Sequence, residues 1–242
     1  MSGSFDGMPA MDAQEWIEKL MDTYARCSTY QDVERLTMSG EWSGSYGYGE
    51  RELIFKTRFV RPKNLYLEAL FESRGSEMSS ILWSKDGDVF SLESNSPESN
   101  EPDLGSWYQD SSFNRSDSLS EAFNRLTRPG RGRGRYVLYP PTLLIPELKC
   151  QAYGFFDNLF CIDESEPESH DTIHLRSSTT PQMEIQLWLR KSDCALLKLR
   201  IERVVQKYPS VPPSLITECV YEKVIFDQQI PEEIFAFQPK TA

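Results

Sequence analysis

ERELIFKTRFVRPKNLYLEALF, residues 50–71, carries the pattern on which the fold turns. Leu53, Phe55, Thr57 and Phe59 alternate with Ile54, Lys56 and Arg58, the period of two that marks a strand with one buried face. Pro62 has no N–H to give to a ladder and keeps its predecessor out of helical geometry, so the strand should end there. Leu65, Leu67, Ala69 and Phe71 resume the alternation as a second strand. Counting by twos from Phe59 puts Arg61 on the apolar face at the strand's last position, a cation at the rim of an apolar surface.

Upstream, Leu36, Met38, Gly40 and Trp42 alternate with polar residues as a first strand, and Gly44, Gly47 and Gly49 mark the turn into the next. Before it, Asp12 and Glu15 form a D-x-x-E capping pattern, and Trp16, Ile17, Leu20, Met21 and Tyr24 share one stripe, which predicts an amphipathic helix of roughly four turns. Downstream, Lys85-Asp86-Gly87-Asp88 separates two apolar runs within residues 81–92, a hairpin signal because Asp-Gly supplies the positive φ of a tight turn. ESNSPESNEP, residues 93–102, is polar enough to be a loop.

A second capping pair, Ser118 and Glu121, opens a short helix with Leu119, Ala122, Phe123 and Leu126 on one stripe, ended by Pro129-Gly130. Pro141 can start another through Leu148. Strands are expected again over residues 150–156, 159–162, 172–176, 183–190, 195–205 and 216–226, with residues 184–201 forming a long hairpin about Lys191-Ser192-Asp193. About ten strands against about three helices, with no βαβ alternation, predict a mainly β chain built on one large antiparallel sheet. The whole of residues 1–242 is expected to form a single domain, with residues 1–10 a disordered leader and 95–148 a loop with lid helices.

The chain has a formal net charge of −11, which argues against nucleic acid and against anionic membrane surfaces. The five cysteines are widely spaced, include no C-x-x-C, and are odd in number, so neither zinc nor a redox pair is signalled and one thiol at least lacks a partner in this chain. His170 and His174 stand four apart beside Glu164, Glu166, Glu168 and Asp171, but Pro167 argues for a loop rather than a metal-binding helix, so no metal is expected. No G-x-S-x-G, P-loop or paired-carboxylate motif appears, and the cysteines lie in or beside apolar runs, so the chain is not expected to be an enzyme or to need a cofactor. RPGRGRGRY, residues 128–136, reads as a solvated loop or a contact for lipid phosphate.

Three stretches, FVRPKNLYLEAL (59–70), SILWSKDGDVFSLES (80–94) and YEKVIFDQQIPEEIFAFQP (221–239), resemble the LolA/LolB superfamily of lipoprotein-localisation factors and their LolA-like relatives. The resemblance spans most of the chain in order. It implies a curved antiparallel sheet rolled into a half-open barrel, closed by a helical lid over a hydrophobic cavity that holds acyl chains. Such a protein would be a carrier or chaperone for a lipid or acylated protein. It would work as a monomer in the periplasm or at the outer membrane, with envelope membrane proteins as further partners and a signal peptide or lipobox upstream of Met1. The other class of function open to this chain is a structural or interaction module of the envelope whose barrel is filled by its own side chains or by a partner.

Trp42, Phe55, Phe59, Leu67, Phe71, Trp83 and Trp188 either fill a core or line the cavity, and the resemblance favours the cavity. Trp188 fits least well, since its neighbours Leu187 and Leu189 lie on the other face of its strand. Arg61 is either a surface ion pair or, by the resemblance, a tie from the barrel wall to lid carbonyls at the mouth. Leu119, Ala122, Phe123 and Leu126 are expected to turn the lid's apolar stripe to the sheet.

Overall fold

The computed structural model describes residues 11–40, 51–62, 64–73, 76–94, 112–126, 139–145, 148, 158–164, 170–180, 183–204 and 214–235. Helix α1 (Ala13–Arg26) opens with the expected reciprocal cap: the Glu15 amide donates to Asp12 Oδ1 at 2.8 Å, and the Asp12 amide donates to Glu15 Oε2 at 2.8 Å. Its apolar stripe buries Ile17, Leu20 and Tyr24.

Eleven strands follow among the described residues: β1 (Thr29–Gly40), β2 (Arg51–Val60), β3 (Asn64–Ser73), β4 (Ser76–Lys85), β5 (Asp88–Ser94), β6 (Ser112–Ser116), β7 (Cys161–Ile162), β8 (Thr172–Thr180), β9 (Met183–Arg190), β10 (Leu196–Val204) and β11 (Ser214–Phe226). They form one antiparallel sheet in the order β6-β5-β4-β3-β2-β1-β11-β10-β9-β8-β7. The chain thus lays down one meander, β1 to β6, then a second, β7 to β11, and the last strand joins the first. The two ends of the order do not pair with each other, so the sheet is a curved, half-open wall and not a closed barrel.

Helices α2 (Leu119–Leu126) and α3 (Tyr139–Leu144) come between the meanders. The former packs on β4, β5 and β6, and the latter on α1. A 3-10 turn, Glu232–Phe235, packs on β3 and β4. Of the strands expected from the sequence, residues 150–156 lie outside the described residues. The first strand begins seven residues earlier than Leu36, at Thr29, because two acidic residues interrupt its apolar alternation.

The Asp86-Gly87 turn joins β4 to β5 with φ of 53° and 95°, the left-handed region in which a Cβ is unfavourable. Nothing lies within 4 Å of where a Cβ on Gly87 would stand, so conformation alone sets the cost of adding one. Gly87→Ala should lower stability by on the order of 1 kcal/mol in a urea titration, with the fold unchanged.

Candidate functional site

One face of the sheet, here the inner face, carries the main core. On β2 it presents Leu53, Phe55, Thr57 and Phe59, all nearly closed to solvent, while Ile54, Lys56 and Arg58 between them are partly exposed. Register carries this face outward: Phe59 pairs with Leu65, Thr57 with Leu67 and Phe55 with Ala69 on β3. On the other side Tyr30, Asp32, Glu34 and Leu36 of β1 pair with Phe59, Thr57, Phe55 and Leu53. Ile17, Leu20 and Tyr24 of α1, Ala122 and Phe123 of α2, and Leu143 and Leu144 of α3 join the same apolar cluster, so three helices cover this face.

Ala122 and Phe123 are fully buried in that cluster and Leu119 packs against it. Phe55, Phe59 and Leu67 are brought together there too. Register places Trp83 and Trp188 elsewhere. Trp83 pairs with Tyr66 and Phe90, whereas its neighbour Leu82 pairs with Leu67, so period two sends Trp83 to the outer face. It stacks there on Phe90, with ring centroids 5.4 Å apart. Trp188 is also on the outer face, stacked on His174 at 4.3 Å with Lys198 Nζ 4.8 Å from its ring centre. Trp83 and Trp188 are therefore separated by the sheet from Phe55, Phe59 and Leu67. Trp42, residues 128–136, and the side chains of Phe71 and Leu126 lie outside the described residues.

Arg61 reaches the inner side, as counting by twos from Phe59 predicts, but its acceptors are not lid carbonyls. Its Nε–H donates to the Cys27 carbonyl at 2.8 Å and its Nη2–H to the Tyr24 carbonyl at 3.0 Å. Those carbonyls end α1, where the last turn has no amides of its own to bond them. The guanidinium also lies 5.2 Å from the centre of the Phe59 ring. Arg61 thus ties the end of β2 to the helix that covers the sheet.

The inner face also holds a polar row that the sequence did not announce. Asp32 and Glu34 are 4% and 1% exposed, in the midst of apolar side chains. The Tyr30 hydroxyl donates to Asp32 Oδ2 at 2.8 Å. Asp32 Oδ1, both carboxyl oxygens of Glu34, Thr57 Oγ1 and the Tyr221 hydroxyl are closed to solvent with no hydrogen-bond partner of ordinary geometry. Tyr221 pairs directly with Glu34 across β1 and β11, and Thr57 with Asp32 across β1 and β2.

Burial pushes the Asp32 carboxyl up to about 7, against the smaller opposing influence of Tyr30 and Thr57 beside it. Burial, helped by the charge of Asp32, holds Glu34 well above the usual carboxylate range. Burial with no cation beside it favours the neutral form of Glu34, which can both donate and accept.

Outside this face, a groove of about 650 Å³ runs between α1 and the ends of β9 and β11. Lys19, Asp22, Arg26, Arg190, Asp193 and Asp227 line it together with Val224, Ile225 and Phe226, so its character is mixed. Cys27, Cys161, Cys194 and Cys219 are free thiols. No cluster of three metal-ligating side chains and no helix long and apolar enough to cross a membrane occurs among the described residues.

No family model matches the chain, and no curated protein matches it. Solved structures do. A DUF1329 family protein from Desulfovibrio piger is 12% identical, over 91% of this chain and 95% of that one, with a TM-score of 0.34. LprF from Mycobacterium bovis is 7% identical, over 90% of this chain and 94% of that one, with a TM-score of 0.43. A LolA superfamily protein from Nitrosomonas europaea is 14% identical, over 93% of this chain and 98% of that one, with a TM-score of 0.35.

Proposed function

We propose that the protein is a non-enzymatic carrier of the bacterial cell envelope, which shields the acyl chain of a lipid or acylated protein against the inner face of its sheet. One observation carries this reading. The apolar inner face is covered by three short helices instead of a second sheet, and two of these are only 8 and 6 residues long. Helices of that length are not stable on their own and hold their place through their apolar contacts. An acyl chain offers the same surface the same kind of contact, at roughly 0.8 kcal/mol per methylene buried. Phe55, Phe59 and Leu67 would line the chain's path, while Leu119, Ala122 and Phe123 would withdraw as the lid.

The closed state favours a second reading for one reason: Phe59, Leu67, Leu82 and Phe123 are all fully buried, as they would be in a module whose inner face is permanently self-filled. Native mass spectrometry after mild purification separates the two. The carrier should arrive with lipid-sized mass additions or take up a fluorescent fatty acid. A clean mass with no uptake of the fatty acid would sink the carrier reading.

A further inference from the structure

We propose that Glu34 and Tyr221, paired across β1 and β11 on the inner face, form the seat for the carbonyl group of an ester or amide at the head of a bound acyl chain. This rests on the carrier reading and adds to it which part of the ligand is recognised, and where.

The geometry comes first. Glu34 is 1% exposed and Tyr221 3%, yet apart from the weak Cys219 thiol beside them neither Glu34 oxygen nor the Tyr221 hydroxyl has a hydrogen-bond partner. Buried polar groups are nearly always satisfied, because each orphan forfeits its bonds to water and gains nothing in return. With only a thiol beside them, three such atoms on directly paired residues leave hydrogen bonds for something else to supply. Phe55 pairs with Glu34 on its other side and Leu36 stands two residues along the same strand, so the polar pair is set in an apolar surface.

That setting selects the chemistry. At 1% exposure and with no cation beside it, Glu34 favours its neutral form, in which the pair offers two hydroxyl donors, one from the acid and one from the phenol. A carbonyl oxygen has two lone pairs and can take both, while the attached hydrocarbon continues over Phe55 and Leu36. Both a glyceride ester and an N-acyl amide present this group next to a long chain.

Access follows from α3. Its residues Tyr139, Leu143 and Leu144 are buried in the same apolar cluster as Leu36, Phe55 and Tyr221, so this helix covers the inner face around the seat. Lifting α3 uncovers the pair without disturbing the strands that hold it.

The test compares ligands that differ only in the carbonyl. The full chain is titrated with 1-monomyristoylglycerol and with its ether analogue 1-O-tetradecylglycerol, and N-myristoylglycinamide serves as the amide arm. The ester, the amide or both should bind about tenfold tighter than the ether, which corresponds to one good hydrogen-bonding site. The arm that shows the preference tells a lipid ester from an acylated amine. Glu34→Met and Tyr221→Phe should each bring ester and amide down to the ether's affinity and leave the ether's unchanged. Glu34→Gln, which keeps a donor, should retain most of the preference.

Both Glu34→Met and Tyr221→Phe remove an orphaned group, so their melting temperatures should equal or exceed that of the wild type. Equal binding of ester, amide and ether by the wild type overturns the seat but leaves the carrier reading standing. Tighter binding of tetradecylamine than of the ester also overturns it, since the pair would then be an anionic site. If none of the four ligands binds, the carrier reading falls, and the seat with it.

Discussion

Raising the pH from 4 to 7 should weaken the wild-type protein relative to its Asp32→Asn variant by on the order of 4 kcal/mol. The cause is burial. Asp32 titrates near 7 in the folded chain against 3.8 when exposed. Below about 4 the carboxyl is protonated in both states, and its contribution to stability is fully present. Between about 4 and 7 the unfolded chain has lost the proton and the folded chain still holds it, so folding takes up a proton and stability falls as pH rises. Above about 7 the difference stays constant.

Asparagine keeps the shape and can still accept from the Tyr30 hydroxyl, but it has no proton to lose. Other carboxylates pull the opposite way: Glu184, Asp193 and Asp227 are held below the usual range, and their contribution is lost on acidification. The test is therefore the difference between the two proteins, from urea midpoints at several pH values, and not the wild-type profile alone. Parallel profiles would mean that Asp32 meets water in the folded state, and with it that the inner face is open.

Asp32 also shows where the sequence was legible and where it was not. The alternation from Leu53 to Phe59 could be read directly, because every inward residue but Thr57 is apolar and two of the three outward ones, Lys56 and Arg58, are charged. The same face continues on β1 as Tyr30, Asp32, Glu34, Leu36 and Met38. Two carboxylates there look like the wet side of a strand, so the expected strand starts late, at Leu36. Counting by twos back from Leu36 would have found both acids on the buried face, and that contradiction was the available signal for the site.

The tryptophans show the opposite difficulty. Ile81, Leu82 and Trp83 are consecutive and apolar, as are Leu187, Trp188 and Leu189, so the alternation has no readable phase there. The sheet buries residues on both faces at these points: Leu82 and Leu187 on the inner, Trp83 and Trp188 on the outer. Only the pairing register, which depends on strands far apart in the chain, assigns each to its side.

Arg61 lies between these cases, since its face was readable and its partner was not. Replacing it with methionine should destabilise the protein by about 3 kcal/mol, from the loss of two hydrogen bonds made by a charged donor at about 1.5 kcal/mol each. An exposed ion pair would be worth only ~0 to 1 kcal/mol, so the magnitude decides between a rim charge and a tie. Methionine keeps much of the alkyl packing over Phe59 and takes the guanidinium donors from the Tyr24 and Cys27 carbonyls, leaving Tyr24 only the weak Cys27 thiol. The loosened end of α1 has a second witness. The Tyr24 hydroxyl accepts the Leu196 amide at 3.2 Å, a bond that joins α1 to the start of β10. In Arg61→Met that amide should exchange its hydrogen faster than in the wild type, while amides in the middle of β2 and β3 slow or quicken only with global stability. A loss under about 1 kcal/mol, with Leu196 exchange unchanged, would show that α1 is held to the sheet by its apolar stripe alone.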